Sequence, residues 1–546
     1  MSSTFSGLEV AKRALFTQQS ALSTTGHNIS NANTPGYSRQ RVNFEQTSPY
    51  PAMGRNRPEI EGQIGQGVEA GSVQRVRDQF IDLQYRAENN KTGYWESRAD
   101  ALSQMEQIMN EPSETGLSDT MNQFWQSLND LAGNPEDSGA RSVVQQRGIA
   151  VADTFNYISD SLTAVQKDLE NEINVTTKDI NSVVSQIKDL NDQIKAVEPH
   201  GYLPNDLYDE RDRLIDELSN MVNIDVEYSS SSDSAKDIAQ GIASITLQNS
   251  EGKAIEGGVL LTKDNVANQL DVTVKNNDSG QRLVTNIQLN QMDEDGNKIG
   301  QEDFAPADFS SNGKLKGLIE SHGYQVETGS GQKEAKGIYV SMLEDMDKMA
   351  YAFADSFNSQ HQKGYTLKED ANGLPKQGGD FFDTGSYSKD DYIGYASEMD
   401  LTSGIKNSED NIAAALLVDE NGDPLAPDQV EAGSYFGNGE NAQALADVKG
   451  KVNAFLGENT SVQSYYEGMI GDLGVQAQEA NRMADNASTL QQAVETRRQS
   501  VSGVSLDEEM SNMIKFQHAY NAAARNMTAV DEMLDRIINQ MGLVGR

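Results

Sequence analysis

The C-terminal stretch Ser505–Arg546 carries the most regular hydrophobic pattern in the chain. Leu506, Met513, Tyr520, Met527, Leu534 and Met541 recur every seven residues, and Met510, Gln517, Ala524 and Ile538 fill the companion row. That spacing places one stripe on one face of an α-helix and predicts a helical seam. Ser505 and Glu508 have the spacing of a capping box, hydroxyl to backbone and carboxylate back again, which predicts the start of the helix. Continued to about Met541, the helix would be roughly 55 Å long. A stripe of that length needs a partner, and the other end of the chain offers one. Leu8, Leu15, Leu22 and Ile29 also recur every seven residues, with Ala11, Ala14 and Ala21 as close-approach surface. Ser6 and Glu9 repeat the capping spacing, and Pro35-Gly36 stops the helix. The two ends are expected to pair. The pair either closes one globular domain or serves as an assembly element that packs on copies of itself.

Between the ends the pattern changes several times. From Tyr37 to about Gln74, prolines and glycines interrupt any long element, predicting a connector with short strands. Helical periodicity returns at Val76, Phe80 and Leu83, runs with breaks to Met109, and resumes around Met121, Phe124, Trp125 and Leu128. Leu162, Leu169, Thr176, Val183, Leu190 and Val197 form one heptad row, and Val165, Ile173, Ile180, Ile187 and Ile194 the other. They predict a long coiled-coil helix ended by Pro199-His200-Gly201, followed by a helix over Asn205 to Val222. Two later helical stretches, Ile338 to His361 and Tyr466 to Val501, are the expected partners of that seam. From Asp225 to about Ser330 alternating, β-branched runs joined by Asn/Asp/Gly turns predict an independent β domain. Gly364 to Gly439 is a second, glycine-rich segment, with a short helix expected near Ile412 to Leu417.

The fold class is therefore mainly α with an inserted β domain: a long helical bundle formed by the N- and C-terminal halves, with a β-rich insertion. The expected division is 1–36 and 505–546 as paired terminal helices, and 37–224, 337–363 and 440–504 as the bundle. Residues 225–336 form the β domain and 364–439 the second insertion.

Charge and composition narrow the function. Lys plus Arg number 44 against 83 Asp plus Glu, a net charge of −39. Nucleic acid as a partner needs a basic face, and none is visible. No basic cluster or apolar run suggests membrane insertion. Cysteine is absent, and the N-terminus lacks the apolar core of a cleavable secretory signal, so any route out of the cell is expected to be signal-independent. Asp293, Asp295 and Asn297 open like a calcium loop, but Lys298 and Phe304 stand where glycine and glutamate belong. Asp419, Asn421 and Asp423 fail likewise at Pro424, so hairpin turns are the expected form of both. The histidines His27, His200, His322, His361 and His518 show no metal-ligand spacing. Neither a phosphate loop nor a nucleophile motif is present. No catalytic, metal or cofactor residue is assigned, and no enzymatic activity is expected.

At Asn28-Ile29-Ser30-Asn31-Ala32-Asn33-Thr34-Pro35-Gly36-Tyr37 the chain resembles the signature of bacterial flagellar axial proteins. Ser38-Arg39-Gln40, Asn205-Asp206-Leu207-Tyr208-Asp209-Glu210-Arg211-Asp212-Arg213-Leu214, Gly503 to Met510 and Phe516 to Tyr520 narrow the resemblance to the flagellar hook-associated protein 1 family. The resemblance implies a structural protein that polymerises at the hook–filament junction. Its expected partners are copies of itself in a helical tubular assembly, the hook protein, the second junction protein, the flagellar export apparatus and an export chaperone on the C-terminal helix. It implies a secreted, extracellular location on the flagellum, an assembly seam made of the two heptad rows, and a signature turn over Asn31, Ala32, Asn33, Thr34, Pro35, Gly36 and Tyr37. The competing readings are another axial protein (the second junction protein or a flagellin-like chain), a secreted coiled-coil adhesin or effector, and a muralytic enzyme with paired carboxylates.

Overall fold

A computed structural model of the chain describes residues 5–51, 62–109, 113, 116–328, 331–369, 375–419, 424–430, 433 and 435–540. Helix α1 (Ser6–Ser30) leads into an antiparallel pair, β1 (Gln40–Gln46) and β2 (Val68–Arg75). Four helices follow: α2 (Gln79–Met109), α3 (Leu117–Gly133), α4 (Ser138–Val197) and α5 (Asn205–Met221). The β-rich segment holds a meander of β3 (Ile224–Ser229), β4 (Ile242–Gln248) and β5 (Ala254–Leu261). Its second sheet has β6 (Gln269–Asn276), β7 (Arg282–Met292), β8 (Lys298–Phe304), β9 (Tyr324–Glu327) and β10 (Lys333–Lys336), with α6 (Lys314–His322) between β8 and β9. Strand β7 pairs with β6 along one edge and with β9 and β8 along the other. After α7 (Ile338–His361) come the hairpin β11 (Tyr365–Glu369) and β12 (Pro375–Gln377), then β13 (Phe382–Asp383), α8 (Tyr395–Glu398), β14 (Asp400–Leu401), α9 (Ser403–Asn407) and α10 (Glu440–Ala446). The chain closes with α11 (Val462–Ser502) and α12 (Leu506–Asp535).

The 60-residue α4 is the axis of the molecule. Asp137 caps it, accepting a hydrogen bond from the Gly139 amide at 2.7 Å, and Gly201, at φ +81°, turns the chain away after Pro199. It begins well before the heptad rows because Val144, Val151, Phe155 and Ile158 extend the same buried face upstream. Of the two long helices expected to cover the seam, Ile338 to His361 does so as α7, whereas Tyr466 to Val501 lies elsewhere, and that part of the expectation is corrected. Several unlike surfaces cover it in turn: α3 and α8 near its start, α7 and α6 in the middle, and α5 with the β-rich segment at its end. Helix α11 instead lies along α2, with Gln491 Nε2 donating to Asn89 Oδ1 at 2.7 Å. A flat sheet face buries an apolar stripe as well as a helix does, so the stripe alone does not name its cover.

The β-rich insertion is present, but the expectation that it has a core of its own is corrected. Ile173, Ile180, Val184 and Ile187 of α4 share one contiguous hydrophobic cluster with Ala243, Ile245, Leu260, Leu270 and Ile287. Two asparagines of α4 fasten the contact like borrowed strand backbone. Asn181 exchanges a pair of hydrogen bonds with Leu270, both at 2.8 Å, and Asn191 does the same with Ala243 at 2.9 and 3.2 Å.

The 364–439 segment also enters the core: Phe381 and Phe382 pack, tilted or edge-on, into an aromatic cluster with Phe124, Phe353 and Phe357. No helix forms at Ile412 to Leu417. Ile412 to Ala415 is buried, extended chain, with Ala415 bridged to Tyr365 and Asn441 Nδ2 donating to the Ala413 carbonyl at 2.7 Å. A short apolar run fits either conformation, and here the flanking backbone partners decide. The Asp293–Asn297 segment is the turn between β7 and β8, Asp293 Oδ1 accepting from the Asn297 amide at 2.7 Å. Asn421 and Asp423 lie outside the described residues.

Candidate functional site

Helices α1 and α12 pair antiparallel. Near one end Gly7 faces Val530, so that an added Cβ would meet Val530 Cγ2 at 3.6 Å; near the other, Asn28 Nδ2 donates to Glu509 Oε2 at 3.1 Å. The other flank of α1 rests on the β1–β2 hairpin, where Thr17 Oγ1 donates to the Val68 carbonyl at 3.2 Å. The fully buried positions of α1 are accordingly Ala11, Thr17, Ala21, Thr25 and Asn28, small or polar residues where two contact surfaces meet. The heptad residues Leu8, Leu15, Leu22 and Ile29 are half-buried, as are Met513, Tyr520 and Met527; Leu534 is buried and Leu506 is exposed. Met541 lies outside the described residues. Facing outward are Phe5 at the N-cap of α1 and Phe16 on it, and Met510 (57% exposed), Ile514 (55%), Met533 and Ile537 along α12 and the turn that follows it.

Neither capping box closes. Ser505 occupies the N-cap of α12 and Phe5 that of α1, both without a side-chain cap bond. At α12 the reason is a stronger competitor. Arg39 takes the two carboxylates of the first turn, Nη1 to Glu508 Oε2 at 2.6 Å and Nε to Glu509 Oε1 at 2.8 Å.

The signature turn ends α1 and redirects the chain. Asn31 sits at the C-cap, its Nδ2 donating to the His27 carbonyl at 3.1 Å, and Thr34 Oγ1 donates to Asn31 Oδ1 at 3.2 Å. Gly36 has φ +80°, the left-handed conformation that favours glycine, and it faces the Arg213 side chain. Asn33, Thr34 and Pro35 are exposed, Ala32 is half-buried, and Tyr37 folds back to donate its hydroxyl to Asn28 Oδ1 at 2.8 Å. Burial, then Asp206, Asp209 and Glu509, push the Tyr37 phenol up, so it stays a donor.

Asn28, 1% exposed, has all its hydrogen-bonding capacity filled. Nδ2 donates to the Gln40 carbonyl and to Glu509, while Oδ1 accepts from Tyr37 and from the Gln40 amide at 2.9 Å. Beyond it lies a buried ionic cluster. On α5, Asp209, Asp212 and Asp216 stand at i, i+3 and i+7, so three carboxylates share one helical face. Arg75 Nη1 bridges Asp209 at 2.7 Å and Asp212 at 2.9 Å. Arg77 reaches Asp82 at 2.7 Å and Asp212 at 3.0 Å, Arg86 reaches Asp216 at 2.9 Å, and Arg498 of α11 pairs with Asp216. Burial alone would raise the Asp212 carboxyl, but Arg77, Arg75, Arg86 and Arg211 hold it far below the ordinary range. The Ser38 amide donates to Asp209 Oδ2 at 3.0 Å, joining this cluster to the signature turn.

Sequence reasoning singled out the turn and the heptad rows; it quoted Asn28, Arg39, Asp209, Asp212 and Glu509 only as parts of matching motifs, with no role in joining them to the bundle, and did not name Arg75 or Arg77 at all. The carboxylate spacing on α5 was a readable signal. Among the described residues no group of three or more His, Asp or Glu is placed to hold a metal ion. His361 is bonded at both ring nitrogens, to the Gly379 carbonyl at 2.6 Å and the Ala413 amide at 2.9 Å. Charge is distributed unevenly. Residues 1–36 and 505–546 hold 6 Lys plus Arg and 7 Asp plus Glu, leaving 38 and 76 for the rest, so nearly all the negative charge lies on the body.

Comparison with known proteins gives this arrangement its setting. Residues 102–382 match the family profile "Flagellar hook-associated protein FlgK helical domain". Residues 8–37 match "Flagella basal body rod protein", and 496–541 match "Flagellar basal body rod FlgEFG protein C-terminal". The flagellar hook-associated protein 1 of Bacillus subtilis (strain 168) is 46% identical over 100% of both chains. Its namesake in Salmonella typhimurium (strain LT2) is 25% identical over 97% of this chain and 98% of that one. The structure of the flagellar hook junction protein FlgK from Burkholderia pseudomallei covers 77% of this chain and 100% of its own at a TM-score of 0.59 and 15% identity, which is a likeness of fold. With full-length identity at the level of the Bacillus relative and a matching helical-domain profile across half its length, the chain belongs to the flagellar hook-associated protein 1 family, structural proteins of the flagellar hook–filament junction.

Proposed function

We propose that the α1–α12 pair is the element through which this chain makes the joint, packing on copies of itself and, at the two ends of the assembly, on the hook protein and the second junction protein. The observation that supports this is the row of outward apolar residues on the pair, above all Met510 and Ile514, unburied within one chain. An amphipathic pair that leaves its second face uncovered is suited to burying it against a further helix. In this reading Leu15, Leu22, Met513, Tyr520, Met527 and Leu534 hold the pair together, and the outward row holds neighbouring copies. The near-neutral charge of the terminal segments supports it too, because close packing of the strongly acidic bodies would be opposed by self-repulsion. The two profiles shared with rod proteins fall on these same segments. The chain is exported to the cell exterior with a chaperone on α12, and it acts without catalytic turnover.

Replacing Met510 and Ile514 with Asp tests the reading. Both side chains are solvated in the single chain, so its fold should persist while incorporation fails. The purified variant is added to cells that lack the native chain, which bypasses export and chaperone. The expected outcome is bare hooks with flagellin lost to the medium, and normal filament growth would sink the proposal.

A further inference from the structure

Among the described residues, no buried apolar side chain of the terminal pair joins the hydrophobic cluster of the bundle: Ala11, Ala21 and Leu534 stand outside it. Between α11 and α12 only Gly503, Val504 and Ser505 intervene. Beside this elbow a cleft of about 1270 Å³ opens between the signature turn and the bundle, lined by Pro35, Tyr37, Arg77, Arg213, Glu495 and Glu508. That side of the elbow is open space rather than packed side chains.

We propose that Arg39 is the clamp that sets the angle at which the terminal pair leaves the bundle. Its backbone amide donates to the Ser502 carbonyl at 2.8 Å, tying the end of α11. Its carbonyl accepts from the Val76 amide at 2.8 Å, tying the chain between β2 and α2. Its guanidinium takes Glu508 and Glu509 at the start of α12. One residue thus bonds to the segments on both sides of the elbow and to the entry of the bundle. The two carboxylates are not equivalent. Glu508 is 62% exposed in its side chain, where an ion pair contributes little. Glu509 is 2% exposed, and its other oxygen is held by Asn28, so loss of Arg39 leaves a buried carboxylate without its cation. Hydrogen bonds are directional in a way that apolar contact is not, so this set prescribes an orientation as well as a proximity. The helix end adds to the selectivity. The N-terminus of α12 carries partial positive charge, so Arg39 is welcome there only while Glu508 and Glu509 stand between them.

The inference rests on the reading of the terminal pair as the assembly element, and its test is made on assembled junctions. Hooks from cells lacking the chain are loaded with purified parent, Arg39→Ala or Glu509→Gln protein and averaged by electron microscopy. With the clamp removed, the tube wall built by the terminal pairs should stay sharp while the density of the outer bundle smears. Equal sharpness of the bundle in parent and Arg39→Ala junctions overturns the clamp. If the variants load poorly, the double variant decides. Arg39→Ala and Glu509→Gln should each reduce loading about tenfold or more, and the double variant should be no worse than the worse single one, since both remove one contact. Losses that multiply overturn the proposal. Arg41→Ala, which removes an exposed cation two positions along β1, should load as the parent does. A failure of Met510 and Ile514 substitution to block assembly would remove the assembly reading itself, whereas unchanged bundle sharpness removes only the clamp.

Discussion

Asp212→Asn should unsettle the bundle far more than its isosteric shape suggests. The Asp212 carboxylate, 3% exposed, accepts from Arg75 at 2.9 Å, Arg77 at 3.0 Å, Arg86 at 3.5 Å and the Tyr228 hydroxyl at 3.1 Å. Arg75, Arg77 and Arg86 all bond to this one carboxylate, so the substitution removes a negative charge that three buried cations share. It also turns an amide NH2 toward guanidinium donors. Breaking a buried ion pair from one side costs about 3–5 kcal/mol. For an m-value near 3 kcal/mol/M, the urea midpoint should fall by roughly 1–2 M. The chain has two tryptophans, Trp95 on α2, the helix that carries Arg86, and Trp125 on α3, so fluorescence follows unfolding of the bundle. Glu210→Gln is the comparison: its pair with Arg213 is exposed and should contribute about 0.5 kcal/mol or less. The penalty should also be insensitive to mild acid. A carboxylate whose folded pKa is depressed contributes stability above its unfolded value, about 3.9, and loses it only as pH falls through the lower folded one. The wild-type advantage should therefore be undiminished at pH 5. A midpoint shift no larger than that of Glu210→Gln would refute the reasoning, showing that desolvation cancels the attraction in this cluster.

Burial pushes the His361 imidazole down to about 4, and the Ala413 amide occupies the nitrogen that a second proton would need. Stability from this neutral histidine is present above the unfolded value near 6.5 and lost as pH falls through about 4; nuclear magnetic resonance should find it untitrated at pH 5.5, and a midpoint near 6.5 would contradict the geometry. Gly471 lies on the open face of α11 with nothing within 4 Å of an added Cβ, so Gly471→Ala should raise stability to urea by up to about 1 kcal/mol; a loss would reveal a contact there. Deleting residues 226–331 behind a short linker should give an insoluble or loosely packed chain, because it uncovers Ile180 and Ile187; a soluble, cooperatively melting bundle would show that the insertion has its own core after all.

The sequence disclosed elements better than it disclosed neighbours. Heptad rows located α1, α12 and most of α4, because a long seven-residue period admits one conformation. It did not say what covers α4, since Ile180 and Ile187 would be equally apolar against a helix or a sheet. The joint was hidden for a different reason. Asn28, Arg39, Asp212 and Glu509 look like surface residues to any hydrophobicity pattern, and they are buried or half-buried because charged and polar partners, many of them more than a hundred positions away, close around them. The i, i+3, i+7 carboxylates of α5 were legible as a charged face, although a charged face is ordinarily a solvated one. The capping spacing at Ser505 and Glu508 was present but unused, because Arg39 offers Glu508 a stronger bond than the backbone does.

The route of the chain through the fold has a kinetic consequence. Asn28 and Glu509 are 481 positions apart, and Asn89 and Gln491 are 402 apart. Contacts of such long range form late, because loop closure must precede any gain from them. A chain that enters its surroundings from either end can build parts of α4 and its near neighbours as it goes. It cannot cover α2 until α11 has arrived, nor mate α1 with α12 until both termini are free. Completion is thereby deferred to the arrival of the final segment. Until then the ends remain open to whatever partner meets them first, which for a protein that must join a growing structure is a matter of timing as much as of shape.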